Sequence, residues 1–131
     1  MDRIFLDANV LFAAAWRVDS ELQRLWSLND VELLSSGYAL EEARRNLEKP
    51  AQRGRLTRLS RRVELVEPEH YTLPRGIYLP EKDMPILLAA IDGHTTHLLT
   101  GDREHFGLYF RQKIAGVLIL QPAEYPLFRE Q

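Results

Sequence analysis

Residues 4–11 read IFLDANVL, and this short stretch decides the fold that the sequence predicts. Three consecutive apolar residues, 4–6, are typical of a buried strand in a parallel sheet. The residues after Asp7 have a helical pattern, so Asp7 ends the strand and precedes a helix. Ligands of open α/β sheets bind outside the carboxyl ends of the strands, at the point where the strand order reverses. Asp7 is therefore the first candidate for a functional residue.

Short apolar runs alternate with helical patterns along the rest of the chain. Strands are predicted at residues 4–6, 31–34, 63–66, 97–100 and 117–120, and helices at 8–28 with a break near 18–20, 36–47, 51–60 and 83–91. Residues 67–82 are predicted as a loop, and residues 106–113 as a short helical or irregular connector. Strands separated by helices imply right-handed parallel crossovers. The sequence therefore predicts an α/β fold, a three-layer α/β/α sandwich with a mostly parallel five-stranded sheet, in one domain spanning residues 1–131.

The composition excludes several classes of protein. The formal net charge of -2 argues against a wholly basic nucleic-acid coat protein, and the absence of cysteine excludes disulfides and thiolate metal sites. The sequence has no apolar run near the ~20 residues that span a bilayer, and the N-terminus lacks the long apolar core of a signal peptide. We therefore expect a cytoplasmic protein with no membrane segment.

Three further acidic residues occupy positions comparable to that of Asp7. Asp102 follows a predicted strand, whereas Glu42 and Asp83 lie near the starts of predicted helices. Each acid alone could be a helix cap or an ordinary charge near a helix N-terminus. At about 100° per residue, Glu42 borders the apolar face of its helix while Glu41 points to solvent, so Glu42 is preferred.

Carboxylates gathered at one edge of a sheet repel each other and resist burial unless a cation neutralises them. Oxygen donors without thiolates suit Mg²⁺ or Mn²⁺. None of the four histidines has metal-binding spacing such as H-E-x-x-H, and we interpret all four as structural or surface residues: His70, His94, His97 and His105. The sequence therefore predicts a metal-dependent site built from carboxylates.

A basic segment accompanies the acidic residues. Residues 44–62 contain eight basic side chains and a single acidic one, Glu48. Guanidinium groups bind phosphates in a bidentate manner, so an acidic site beside this segment suits the cleavage of a polyanion. A solvated helix face without a partner is the alternative. The candidates for holding a phosphate backbone are Arg44, Arg45, Arg53 and Arg58.

Four blocks of the sequence resemble a PIN domain. They are residues 5–11 (FLDANVL), 36–43 (SGYALEEA), 82–90 (KDMPILLAA) and 98–106 (LLTGDREHF), and the last is the most specific. The resemblance spans nearly the whole chain in the expected order. His97 is a departure, since relatives often carry an acidic residue before the fourth strand.

The resemblance implies a sheet ordered 3-2-1-4-5 and an endoribonuclease that depends on Mg²⁺ or Mn²⁺. Many relatives are VapC-like toxins that pair with an antitoxin protein. The acidic positions of the family map onto Asp7, Glu42, Asp83 and Asp102, which would be catalytic metal ligands. Asn9 and Thr100 are expected to support them, and Arg103 to contact RNA near the scissile bond.

Other functions are compatible with the same residues. The chain could be a catalytically inactive PIN-like domain that binds RNA or a protein. It could also be a phosphoaspartyl enzyme or receiver, because Asp7 would end the first strand there too. Phosphatases of that kind need a second Asp where this chain has Asn9, and receivers need a Lys where it has Gln121. A homodimer through apolar positions on the early helices is a further hypothesis.

Overall fold

A sheet of six strands lies at the centre of the structure. The computed structural model describes residues 1–126. The strands are β1 (Asp2–Leu6), β2 (Val31–Ser35), β3 (Glu64–Leu65), β4 (His97–Leu99), β5 (Lys113–Ile114) and β6 (Val117–Leu120). Their order across the sheet is β3-β2-β1-β4-β6-β5. Neighbouring strands are parallel except for β5, which pairs with β6 in the antiparallel direction.

The five parallel strands follow the order that the resemblance implies, because β6 is the fifth predicted strand. The predicted fold class, an α/β/α sandwich around a mostly parallel sheet, is confirmed. Receiver domains have the order 2-1-3-4-5 instead. The sheet therefore excludes the receiver alternative.

Helices cover both faces of the sheet. They are α1 (Ala8–Trp16), α2 (Gly37–Asn46), α3 (Pro50–Ser60), α4 (Met84–Asp92) and α5 (Arg103–Phe106), with 3-10 helices at Glu21–Ser27, Gly107–Tyr109 and Pro122–Glu124. Right-handed crossovers place α1, α2 and α3 on one face and α4 and α5 on the other. In the described part of the chain, no helix has the length and apolar character that crossing a bilayer requires.

Local sequence signals explain where several elements begin and end. The apolar residues 4–6 are completely buried in β1. The hydroxyl of Ser36 accepts a hydrogen bond of 3.1 Å from the backbone N–H of Ala39, so Ser36 caps α2. Pro50 occupies the first turn of α3, where its missing N–H carries no cost.

Two predicted segments differ from the structure. The second half of the predicted helix 8–28 is a 3-10 helix, and the hydroxyl of Ser20 donates 2.8 Å to the Ala13 carbonyl instead of capping it. The predicted connector 106–113 ends in a strand, because Lys113 begins a hairpin. Its turn residues Ala115 and Gly116 have φ of 49° and 88°. Ala before Gly is a weak hairpin signal, since Asn or Asp adopts positive φ more readily.

Candidate active site

The carboxyl ends of β1 and β4 meet at the point where the strand order reverses. The backbone N–H of Asp7 donates a hydrogen bond of 3.1 Å to the carbonyl of Leu99, which ends β4. In the sheet, β2 lies on one side of β1, and β4 lies on the other side with β6 beyond it, so the connections after β1 and after β4 run in opposite directions across the sheet. This is the crevice where open α/β sheets bind ligands.

Asp7 is buried at this crevice, with 5% of its surface exposed. Its Oδ1 accepts a 2.7 Å bond from the N–H of Ala8, and its Oδ2 accepts bonds of 2.8 Å from the Thr100 hydroxyl and 3.2 Å from the Asn9 amide. The carboxyl group is therefore fixed in orientation by three donors.

Burial nevertheless raises the pKa of Asp7 to about 6. The hydrogen bonds from Thr100 and Ala8 lower this pKa, while the negative charges of Glu42 and Asp83 raise it further. Desolvation is the largest of these effects. An ionised Asp7 is thus costly in the metal-free protein, and a nearby cation would relieve that cost.

Asn9 and Thr100 connect Asp7 to the turn that carries Asp102. The Asn9 carbonyl Oδ1 accepts a 2.8 Å bond from the N–H of Gly101. The Thr100 hydroxyl oxygen accepts bonds of 3.1 Å from the N–H of Asp102 and 3.3 Å from the Asn9 amide. These two residues therefore fix the ends of β1 and β4 relative to each other.

Asp83 precedes α4 but does not cap it through its side chain. The residue is 9% exposed, and its Oδ2 atom is buried without a hydrogen bond. Burial raises the pKa of Asp83, whereas the nearby His105 lowers it. Helix capping therefore does not explain this acid, and its buried oxygen has an unused capacity to bind a positive group.

His105 lies between two of the carboxylates. Its Nδ1 atom is 2.9 Å from Asp102 Oδ2 and 2.9 Å from Asp83 Oδ2. The backbone N–H of His105 also donates 3.0 Å to Asp102 Oδ1, so Asp102 caps α5. The sequence interpretation of His105 as a structural or surface residue did not include this position beside two acids of the candidate site. Its spacing of three residues from Asp102 on one helical turn was the signal for this contact.

Glu42 is half-buried on α2, and the neighbouring Glu41 is exposed. The charge of Glu42 acts on both Asp7 and Asp83, and Asp83 is also influenced by Asp102. The four acids named from the sequence therefore form one electrostatically connected group, although they come from four separate segments.

Tyr38 is a neighbour of this group that the sequence pattern did not indicate as a site residue. Its hydroxyl donates a 2.7 Å bond to the carbonyl of Lys82, which ties the start of α2 to the residue before Asp83. Desolvation raises the pKa of Tyr38, and the acids Glu42 and Asp83 raise it further. No spacing rule connects residues 38 and 82, so only the fold could reveal this contact.

The residues present fit a divalent cation. Asp83, Asp102 and His105 each offer one ligand atom, and these atoms lie within 4.8 Å of one another. Burial raises the pKa of Asp7 and of Asp83, and Asp83 Oδ2 has no hydrogen bond within the described residues, so a bound cation would favour the ionised form of both acids. Carboxylate oxygens are the ligands that Mg²⁺ and Mn²⁺ prefer.

The arginines predicted to contact RNA differ in how firmly they are held. All five are exposed: Arg44, Arg45, Arg53, Arg58 and Arg103. The Nε of Arg53 donates 2.7 Å to the carbonyl of Leu47. Arg45 shares α2 with Glu42 and acts on the pKa of Tyr38, so it lies close to the acidic group.

Arg55 belongs to the same basic segment but has a structural role. Its Nε donates 3.0 Å to the carbonyl of Ala15 and its Nη2 donates 3.1 Å to that of Trp16, which stabilises the C-terminal end of α1. We expect Arg55→Ala to lower the free energy of unfolding by about 1–2 kcal/mol in urea denaturation and to leave RNA affinity at the wild-type value.

Arg58→Ala is the matched control on the same helix, because Arg58 is exposed. This variant should keep wild-type stability but reduce the slope of log affinity for single-stranded RNA against log salt by about 0.7. Equal effects of both substitutions on RNA affinity would contradict the assignment of a structural role to Arg55 and an RNA-binding role to Arg58.

Comparisons with known proteins support the fold at the level of structure. No protein-family model matches the sequence, and no curated protein matches it. A solved structure, described as the crystal structure of VapBC2 from Rickettsia felis bound to a DNA fragment from their promoter, contains a similar chain. The TM-score is 0.63 at 14% sequence identity, and the match covers 91% of this chain and 98% of the other. At this identity, the likeness shows a shared α/β/α fold.

Proposed function

We propose that the protein is a divalent-metal-dependent endoribonuclease that hydrolyses phosphodiester bonds of RNA. The observation that carries this proposal is that Asp83, Asp102 and His105 offer ligand atoms within 4.8 Å of one another. The buried Asp7 ends β1 beside β4, and its pKa responds to Glu42 and Asp83. The resemblance of the sequence blocks to PIN domains and the shared fold point to the same chemistry.

Each carboxylate has a distinct task in the proposed site. Asp7 presents a buried oxygen whose direction is set by Thr100 and Asn9. Asp83 and Asp102 present oxygens that lie close to each other, and Glu42 adds charge from α2. When bound, Mg²⁺ or Mn²⁺ would lower the pKa of a water molecule and offset charge on the phosphate.

The exposed arginines supply the affinity for RNA in this proposal. Arg44, Arg45, Arg53 and Arg58 would hold the backbone phosphates through α2 and α3. Arg103 follows Asp102 directly and would contact a phosphate near the scissile bond. Of these arginines, Arg45 lies on the same helix as Glu42 and acts on the pKa of Tyr38, so it would bring positive charge to the edge of the acidic group.

Incubation of the purified protein with labelled single-stranded RNA tests the proposal. We expect cleavage with Mg²⁺ or Mn²⁺ and none with EDTA. RNA binding without metal-dependent cleavage would favour the alternative, a catalytically inactive PIN-like domain that binds RNA or a protein.

We further propose that the protein is a cytoplasmic toxin that pairs with an antitoxin and forms a homodimer. The exposed face of α1 carries a groove of ≈ 550 Å³, lined in part by Phe12, Trp16 and Leu22, and Trp16 is 47% exposed. Apolar surface of this kind suits a protein partner. Light scattering of the protein alone should give the mass of a dimer. Co-expression with the product of a neighbouring gene should give a heteromeric complex.

A further inference from the structure

We infer that His105 is itself a ligand of the divalent cation, through Nδ1, and that it makes the site select Mn²⁺ over Mg²⁺. This inference rests on the proposed metal-dependent function and assigns a nitrogen ligand beside the four carboxylates. The spacing of His105 three residues after Asp102 indicates a contact between them, but in a four-residue helix that Asp102 caps it does not by itself indicate a metal ligand.

The distances around His105 match the coordination shell of a small dication. Nδ1 lies 2.9 Å from an oxygen of Asp83 and 2.9 Å from an oxygen of Asp102. Adjacent ligands of an octahedral ion with bonds of about 2.1 Å are separated by about 3.0 Å. Nδ1 therefore has the spacing expected of a neighbouring ligand from each of the two oxygens, and all three donor atoms lie within 4.8 Å of one another.

Hydrogen bonding alone leaves this group of atoms unsatisfied. A neutral imidazole with its hydrogen on Nδ1 can donate only one bond there, and the geometry directs that bond to Asp102. The Oδ2 of Asp83 remains buried without a hydrogen bond. A cation in contact with all three atoms would satisfy them together, which a single proton cannot do.

The other nitrogen of the ring is placed to support this role. Nε2 is 3.8 Å from Glu104 Oε1, and the Glu104 side chain is 86% exposed. Histidine ligands commonly direct their second N–H to a carboxylate or to water, which leaves the first nitrogen free for the metal. The His105 ring is itself 20% exposed, so Nε2 can meet solvent while Nδ1 faces the carboxylates.

An imidazole ligand changes which ion the site prefers. Mg²⁺ is bound through oxygen atoms and keeps much of its water, whereas imidazole is a common ligand of transition metals. A site of carboxylates alone would distinguish Mg²⁺ and Mn²⁺ weakly. With His105 in the coordination shell, we expect a clear preference for Mn²⁺.

Electron spin-echo spectroscopy of bound Mn²⁺ tests the inference directly, because it detects a directly coordinated nitrogen. The experiment compares the wild-type protein with His105→Ala, His105→Gln and His94→Asn. His94 is an exposed histidine with φ of 54°, which Asn tolerates, so this substitution controls for the loss of any histidine. Calorimetry gives the affinities for Mn²⁺ and Mg²⁺, and circular dichroism checks folding.

We expect a nitrogen signal in the wild type and in His94→Asn, and its loss in both His105 variants. The Mn²⁺ affinity of the His105 variants should fall about tenfold or more, with a smaller loss for Mg²⁺. Mn²⁺ binding to the wild type without a nitrogen signal would overturn the inference and leave the nuclease proposal intact. Failure of the wild type to bind either ion would overturn both.

Discussion

Asp7→Asn should abolish RNA cleavage and at the same time stabilise the metal-free protein. The loss of activity should be about a thousandfold or more, because the variant removes a charged oxygen from the centre of the proposed metal site. Mn²⁺ binding should weaken in parallel. Opposite effects on activity and stability are expected where function requires a buried charge.

The stability gain follows from the direction of the pKa shift. Burial raises the pKa of Asp7 from 3.8 to about 6 in the folded protein. The unfolded chain therefore releases this proton at lower pH than the folded chain does, so stability falls as the pH rises through that interval. The full penalty, present above about pH 6, is at most about 3 kcal/mol. Asn avoids this penalty, but if its carbonyl oxygen keeps the bond from Ala8, its NH2 group replaces the oxygen that accepts from Thr100 and Asn9. These losses offset part of the gain, so we expect a net gain of about 1 kcal/mol or less.

Urea denaturation in EDTA at about pH 4 and about pH 7.5 measures this effect. The variant should be more stable than the wild type only at the higher pH. Asp19→Asn is a matched control, since the Asp19 side chain is 76% exposed, and it should alter neither stability nor cleavage. Full cleavage activity in Asp7→Asn would refute the site assignment. A loss of stability at about pH 7.5 would refute the burial argument.

Mn²⁺ should stabilise the wild-type protein increasingly as the pH rises. Metal binds the deprotonated carboxylates, so its contribution grows as the pH rises. A free ion concentration of about a hundred times the dissociation constant adds about 2.7 kcal/mol. We therefore expect the midpoint of thermal unfolding of the wild type to fall relative to that of Asp7→Asn from about pH 4 to pH 6 in EDTA. The increase in the wild-type midpoint on addition of Mn²⁺ should grow over the same range.

Thermal unfolding of Glu42→Gln and Asp7→Asn over the same pH range tests whether Mn²⁺ stabilises the protein by binding at the acidic group. Both variants should lose most of the stabilisation by Mn²⁺, whereas Glu41→Gln should keep it, because Glu41 is exposed on the same helix. Parallel profiles in Mn²⁺ and EDTA for the wild type would show that no ion binds at this group.

The apolar runs in the sequence predicted where most of the strands lie. Runs such as residues 4–6 and 117–120 must be buried on both faces, so their apolar character alone locates the strands. The choice of Glu42 over Glu41 rested on helical geometry, and the structure has Glu42 half-buried and Glu41 exposed. The role of the acids as metal ligands stays a prediction.

Contacts between distant segments could not be predicted from apolar runs or helical geometry. The bond from Tyr38 to the carbonyl of Lys82 depends on how α2 packs beside the loop before α4. The hairpin that begins at Lys113 depends on two positive φ values that Ala115 and Gly116 adopt to reach β6. Such contacts form only when elements that are distant in the sequence pack against each other.

The amino-acid sequence by itself determined the five parallel strands, the main helices between them and which acids end or begin these elements, because periodicity and capping act over a few residues. Only the tertiary structure decided that Asp83 would be buried with an unbonded oxygen and that His105 would lie between it and Asp102. Burial and electrostatic coupling arise when segments far apart in the chain share one low-dielectric crevice. Local sequence does not specify that environment.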